Sequence, residues 1–176
     1  MSSIWSAIAH EFSDIPDLAE AAVICVRLGG AILMGAILGY DRERRGKEAG
    51  LRTHMMVSLG AALFILVPLR DGMAIGDASR VLQGIITGIG FLGAGAILKQ
   101  DQHGVIKGLT TASSIWVAAA VGIAAGMGHE LTAILGTLTA LFILVVVRRL
   151  ERHIDNGVHA SAPATPVNEE SDPPGR

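Results

Sequence analysis

The sequence has few charged residues, few aromatic residues and a single cysteine. Charged side chains make up 17% of the 176 residues, aromatic ones 4%, and hydrophobic ones 51%. A water-soluble domain of this size needs more polar surface than this composition supplies. The lone cysteine, Cys25, excludes an internal disulfide. The composition therefore excludes an ordinary soluble domain and favours an all-α integral membrane protein.

The motifs of the common enzyme classes are also missing. There is no Gly-Lys-Ser/Thr phosphate loop, no nucleophile elbow and no cysteine pair, and the six histidines lack the spacing of zinc ligands. We therefore predict no enzymatic activity, no cofactor and no ATP-driven pump, and nothing indicates nucleic-acid binding. The first Lys or Arg is Arg27, so we also expect no cleavable signal peptide, which would need a basic start.

What the sequence does contain is long apolar stretches. A helix needs about 20 mainly apolar residues to cross roughly 30 Å of hydrocarbon. Five segments meet or nearly meet this length, and Asp17 and Glu20 have the spacing of a capping box at the start of the first. The predicted spans are approximately Leu18–Tyr40, Leu51–Leu69, Val81–Leu98, Leu109–Met127 and Leu131–Val147.

Basic residues in the loops indicate the orientation of these spans. Ten Lys and Arg residues lie in or directly beside the first loop, the third loop and the C-terminal end, against two in the second loop. The positive-inside rule then places the N-terminus outside and the C-terminus in the cytoplasm. We predict an interfacial segment over residues 1–17, a five-helix domain over 18–150 and a disordered Pro-rich cytoplasmic tail over 151–176.

Two similar pairs of segments are consistent with a parallel two-helix repeat. The sequence Gly-Ala-Ile-Leu ends the first span at Leu38 and the third at Leu98, and Gly-Leu-x-Thr begins the second at Gly50 and the fourth at Gly108. Such a repeat implies a pseudo-two-fold axis along the membrane normal. A chance match among common membrane residues explains the same pattern.

Many of the 22 glycines lie within the predicted spans. Small residues allow helices to approach closely in lipid, where van der Waals contact replaces the hydrophobic drive. We predict that they pack helices together and that the third span, which carries no charge, is the central helix; a glycine-lined substrate path is the alternative. The packing candidates are Gly35, Gly39, Gly84, Gly88, Gly90, Gly93 and Gly95.

A few polar residues are candidates for function. Arg27 lies within the first span, where a charge is costly, and it either has a function, reaches the interface or pairs with Glu20. Asp41 and Glu43 are weak candidates for Mg²⁺ ligands, although neighbouring cations favour a self-neutralising cluster that also suits anionic headgroups.

Three threonines lie at the predicted starts of the second and fourth spans. Helix capping explains Thr53, Thr110 and Thr111. Alternatively, two converging helix N-termini and Arg52 would form an anion site.

Taken in order, these motifs resemble the MgtC/SapB family over about residues 20–150. The resemblance depends on Asp41-Arg42-Glu43, on Gly50-Leu51-Arg52-Thr53, on the glycine-rich run 88–95 and on Gly108-Leu109-Thr110-Thr111-Ala112. The first acidic position, often Glu in the family, is Asp41 here. We expect only the membrane domain, without the soluble C-terminal domain of longer members.

The resemblance implies a multi-pass protein of the bacterial inner membrane. Family members are tied to growth in low Mg²⁺, to stress adaptation and to survival inside macrophages, and are thought to act on the proton-driven ATP synthase. The leading hypothesis is therefore a non-enzymatic regulator that binds another membrane protein. The alternatives are a small transporter or channel subunit for Mg²⁺ or another ion, and lipid binding by the basic face. The sequence is also compatible with a homo-oligomer.

Overall fold

The structure is a computed structural model, and it describes residues 2–15, 17–98 and 107–149. The predicted tail, 151–176, lies outside the described residues. The described residues divide into two units, the first ending at Leu141 and the second beginning at Phe142. The first unit contains α1 (Ser2–Glu11), α2 (Leu18–Arg44), α3 (Leu51–Arg70), α4 (Ala78–Leu98), α5 (Leu109–Gly126) and nearly all of α6 (Glu130–Phe142). In the second unit, Ile143–Val147 form a π-helical turn.

The described residues confirm the predicted all-α membrane fold. Five helices are long and apolar enough to cross a membrane, and the fifth of these stretches is Glu130–Val147. The predicted helix start at Asp17 is also confirmed, because the Glu20 amide donates to Asp17 Oδ1 at 2.7 Å, whereas the reciprocal half of the capping box is not formed because the Glu20 side chain pairs with Arg70. The interfacial position of α1, the orientation of the bundle and the parallel repeat stay predictions.

Helix α3 lies between α2 and α5, and glycine pairs permit both contacts. A Cβ added to Gly35 or Gly39 of α2 would come within 2.6 to 2.7 Å of the α3 backbone. A Cβ added to Gly122 of α5 would overlap the carbonyl oxygen of Ser58, and one on Gly126 would lie 2.5 Å from that of Ala62. The three backbones can approach this closely only because these positions carry no side chain.

The prediction that the glycine-rich third span is the central helix is wrong. Half of the apolar stretch of α5 is buried within the bundle, against 11% of the stretch in α4. Ile85 and Ile89 of α4 pack beside Ile115 and Ala119 of α5. Nothing lies within 4 Å of a Cβ built on four of its glycines, Gly84, Gly88, Gly90 and Gly95, while Gly93 reaches Ala112 Cβ at 3.6 Å. A charge-free, glycine-rich sequence suits lipid contact as well as burial, so it does not identify the central helix.

Candidate functional site

Polar side chains from three helices meet inside the apolar bundle, near the end of α2 and the starts of α3 and α5, beside the first basic loop. We call this end of the first unit the basic end. Arg42 of α2 is 2% exposed, His54 of α3 is 0% exposed, and Thr111 and Ser114 of α5 are 3% exposed. We name these four residues the buried polar cluster. Polar groups buried at membrane depth are costly unless they are hydrogen-bonded, and they often mark functional sites.

His54 connects α3 to α5 through this cluster. Its Nδ1 lies 2.8 Å from the Gly50 carbonyl oxygen and donates to it, because a carbonyl oxygen can only accept. Its Nε2 lies 3.1 Å from Ser114 Oγ. The side chain fits here because Gly39 of α2 has no Cβ, which would lie 3.0 Å from His54 Cβ. The missing side chain on α2 thus leaves room for the imidazole.

The single proton of Ser114 couples the two contacts of its hydroxyl. Ser114 Oγ donates to the Thr111 carbonyl oxygen at 2.8 Å. A hydroxyl has one proton, so while this bond is made the contact with His54 requires a proton on Nε2 as well as on Nδ1. With neutral His54, the hydroxyl must turn from Thr111 towards Nε2. The direction of the Ser114 hydroxyl is therefore linked to the protonation state of His54.

Arg42 extends the cluster towards the first loop. Its Nη2 donates to Thr111 Oγ1 at 3.3 Å, and its carbonyl oxygen accepts from the amides of Arg45 and Lys47. The residue therefore ties the end of α2 to α5 and also shapes the turn that follows.

The two candidate carboxylates of the first loop have protein partners. Arg45 Nε donates to both carboxylate oxygens of Asp41 at 2.8 Å, and this hydrogen bond raises the pKa of Arg45 above its ordinary value. Glu43 Oε2 accepts from the Leu51 amide at 2.7 Å and so caps the start of α3. Within the part of the chain that the structure describes, no three His, Cys, Asp or Glu residues are grouped as metal ligands. Both carboxylates are engaged in holding the loop to the helices.

The predicted capping role of the threonines is wrong. The N-cap residues of α3 and α5 are Gly50 and Gly108, and neither helix has a side-chain cap from a threonine. Gly108 has φ of +95°, a conformation that side chains rarely adopt. Of the three threonines, only Thr111 lies in the buried polar cluster. Thr53 is half-buried, and Thr110 and Arg52 are exposed.

Arg27 lies at the opposite end of the bundle, and its predicted partner is also wrong. Glu20 pairs with Arg70 of α3, whose Nη2 donates to Glu20 Oε1 at 2.7 Å. Arg27 instead donates from Nη1 to the Gly126 carbonyl oxygen at 3.4 Å, at the end of α5. Its guanidinium would meet a Cβ on Gly128 within 2.7 Å. Arg27 therefore packs on the turn between α5 and α6 and lies apart from the buried polar cluster.

Arg42, His54, Ser58 and Ser114 were not among the functional candidates predicted from the sequence. His54 was passed over because no second histidine has zinc-ligand spacing, yet a histidine in an apolar span is itself a signal. Ser58 is fully buried, and its Oγ has no hydrogen-bond partner among residues 2–15, 17–98 and 107–149. Nothing in the sequence distinguishes the two serines as functional residues, since serine is common in membrane helices.

A comparison with models of known protein families identifies the family of this chain. The model of the MgtC family matches residues 28–153, which is well over half of the chain and includes the whole buried polar cluster. This chain belongs to the MgtC family. No solved structure matches it.

Several curated relatives from this family are similar over most of the chain. Protein SrpB of Synechococcus elongatus is 42% identical over 137 residues, covering 72% of this chain and 75% of SrpB. The putative magnesium transporter YhiD of Escherichia coli is 43% identical, covering 72% of this chain and 60% of YhiD. Protein MgtC of Brucella abortus is 39% identical, covering 84% of this chain and 55% of that protein. The chain therefore spans little more than half the length of the last two relatives.

Proposed function

We propose that this MgtC-family protein is a non-enzymatic regulator in the bacterial inner membrane that acts in magnesium limitation by binding another membrane protein. Family membership and the name of one relative, a putative magnesium transporter, support the link to magnesium. The proton-driven ATP synthase is the partner that the family resemblance implies. The observation that carries the proposal is a small-residue face on α4 that is exposed among the described residues.

This face, which we call the outer face of α4, consists of Thr87, Gly90, Phe91 and Ala94. The spacing of three and four residues places them on one side of the helix, and all four are exposed. Phe91 is 80% exposed, and nothing lies within 4 Å of a Cβ built on Gly90. The glycine pairs of α2 and α5, by contrast, are already in contact with α3.

Such a face suits a helix of another membrane protein. Glycine and alanine allow a partner backbone to come close, and the single large side chain, Phe91, can insert between the partner's side chains. Lipid chains cannot match that complementarity, because they lack a fixed surface. The arrangement therefore supports helix–helix binding without any chemical step.

Site-specific photocrosslinking in native membranes tests the proposal. A benzoylphenylalanine at Phe91 should crosslink a specific membrane protein in cells grown at low Mg²⁺, and Gly90→Leu should abolish the crosslink by preventing close approach. A benzoylphenylalanine at Leu135 of α6, which is 65% exposed, is the matched control. Equal crosslinking patterns at both positions would contradict a partner-specific face, and ATP synthase subunits among the products would identify that partner.

Ion transport is the second candidate, and the buried polar cluster is the observation that favours it. Purified protein in liposomes should then move an ion, and His54→Gln or Ser114→Ala should reduce the flux. Asp41→Ala with Glu43→Ala tests the first loop in the same assay. Mg²⁺ flux that these substitutions abolish would refute the regulator proposal.

A further inference from the structure

A cavity with charged walls lies at the end of the bundle opposite the basic end. It has a volume of about 660 Å³ and lies where α3 ends and α4 begins. Asp71, Asp77 and Arg80 line it together with Pro68 and Val81. The three charged side chains belong to exposed residues, and none makes a salt bridge or side-chain hydrogen bond with the part of the chain described here. We call this cavity the charged mouth.

A second cavity, of about 670 Å³, lies between α3 and α4 and is lined almost only by apolar atoms. Phe64 and Val57 form part of its α3 wall, and Gly84, Gly88 and Leu92 form part of its α4 wall. Because both glycines face open space, the α4 wall is recessed. We call this cavity the apolar cleft.

The two cavities are neighbours. Val81 lines both of them, and Pro68 of the charged mouth lies one turn of α3 beyond Phe64 of the apolar cleft. From Val81 to Leu92 the cleft follows α4 for about 16 Å at 1.5 Å per residue. That length is close to one leaflet, since the hydrocarbon core is roughly 30 Å thick. In a bilayer we therefore expect the charged part at the level of the headgroups and the apolar part to run towards the midplane.

We propose that the charged mouth and the apolar cleft together bind one phospholipid that carries a primary ammonium headgroup, as phosphatidylethanolamine does. The Arg80 guanidinium binds the phosphate, for which its planar donors are suited. Asp71 and Asp77 accept hydrogen bonds from the ammonium group, and an acyl chain fills the apolar cleft. This site is separate from the outer face of α4, and the proposal does not depend on the proposed function.

The charges at the mouth determine which headgroup is preferred. Two carboxylates and one guanidinium leave a net negative charge, which disfavours the anionic headgroup of phosphatidylglycerol. Phosphatidylcholine has the same charges as phosphatidylethanolamine, but its quaternary nitrogen has no N–H to donate to Asp71 and Asp77. We therefore expect the order phosphatidylethanolamine, then phosphatidylcholine, then phosphatidylglycerol.

Native mass spectrometry of protein extracted from nanodiscs that contain the three lipids in equal amounts tests this site. One bound phosphatidylethanolamine should dominate, at about threefold over phosphatidylcholine, as expected for exposed charged pairs. Asp71→Asn with Asp77→Asn should remove the preference between these two lipids. Gly88→Leu should lower retention of all three by filling the cleft.

Two control variants separate this site from ordinary lipid contact. Arg52→Gln removes an exposed arginine at the basic end, and Gly95→Leu adds a side chain to an open α4 glycine outside the apolar cleft. Both should keep the wild-type lipid pattern, whereas Arg80→Gln should lose it. Retention of the lipids in the proportions of the mixture, or the same loss in Arg52→Gln as in Arg80→Gln, would overturn the proposal.

Discussion

At the scale of single residues, the glycines divide into those that pack helices and those that face open space. Gly122 allows α5 to approach the Ser58 carbonyl of α3, whereas Gly88 has no neighbour within 4 Å. Glycine thus either packs helices or faces open space, and the neighbouring sequence does not show which of the two it does. The difference can be measured by adding one methyl group at each position.

We predict that Gly122→Ala and Gly88→Ala change stability in opposite directions. The new Cβ of Gly122→Ala must push α3 and α5 apart, and such overpacking costs about 1–3 kcal/mol. Gly88→Ala should gain up to about 1 kcal/mol, because alanine is the better helix former. Thermal unfolding midpoints of the two variants in the same detergent measure the difference. Equal midpoints would mean that α3 and α5 are not in backbone contact.

Glu43 is a candidate Mg²⁺ ligand in the sequence, but in the structure it caps the start of α3. We predict that Glu43→Ala destabilises the protein by about 0.5–2 kcal/mol, because the Leu51 amide loses its acceptor. Glu48→Ala, an exposed neighbour in the same loop, is the matched control and should have little effect.

The metal hypothesis makes a different prediction for the same pair of variants. If Glu43 bound Mg²⁺, the added ion would raise the unfolding temperature of the wild-type protein and of Glu48→Ala but not of Glu43→Ala. We expect Mg²⁺ to affect all three proteins alike. A selective effect would assign Glu43 to a metal site.

At the scale of the helices, α5 joins the bundle through one face and presents the other to lipid. Ser114 on the inner face contacts His54, whereas its neighbour Ser113 is exposed and donates only to the Leu109 carbonyl oxygen of its own helix. Adjacent serines therefore provide a matched pair of variants.

We predict that Ser114→Ala costs about 1–3 kcal/mol, because it leaves a buried group of His54 without its partner. Ser113→Ala should change stability by less than about 0.5 kcal/mol. Unfolding in a series of denaturant concentrations in mixed micelles measures both. The double variant Ser114→Ala with His54→Gln should cost less than the sum of its single variants if the contact is direct. Additive costs would contradict the contact between Ser114 and His54.

Helix positions in the sequence were easier to predict than helix roles. All five spans were located to within a few residues, because length and apolarity are local properties. The role of α4 was mispredicted, because a helix that faces lipid and a helix that faces other helices are both apolar. The burial of α5 depends on the contact of its glycines with α3, which only the tertiary structure shows.

At the scale of the whole molecule, the basic loops predict the orientation of the bundle. With Cys25 replaced by alanine, single cysteines at Glu48 and at Ile75 occupy exposed positions in the loops at the two ends. We predict that a membrane-impermeant maleimide applied to spheroplasts labels Ile75→Cys and spares Glu48→Cys until the membrane is opened. The reverse pattern would invert the orientation of the bundle and place the charged mouth in the cytoplasmic leaflet.

The amino-acid sequence by itself determined the class of the protein, the positions of its spans, the helix N-cap at Asp17 and the family, since each depends on composition or on neighbours along the chain. The tertiary structure decided which residues form the buried polar cluster, because Arg42, His54 and Ser114 come from three helices. It also decided the partners of Arg27 and Glu43. Contacts between distant segments depend on how helices cross, and in a bilayer the crossing is determined by close packing that hydropathy does not record.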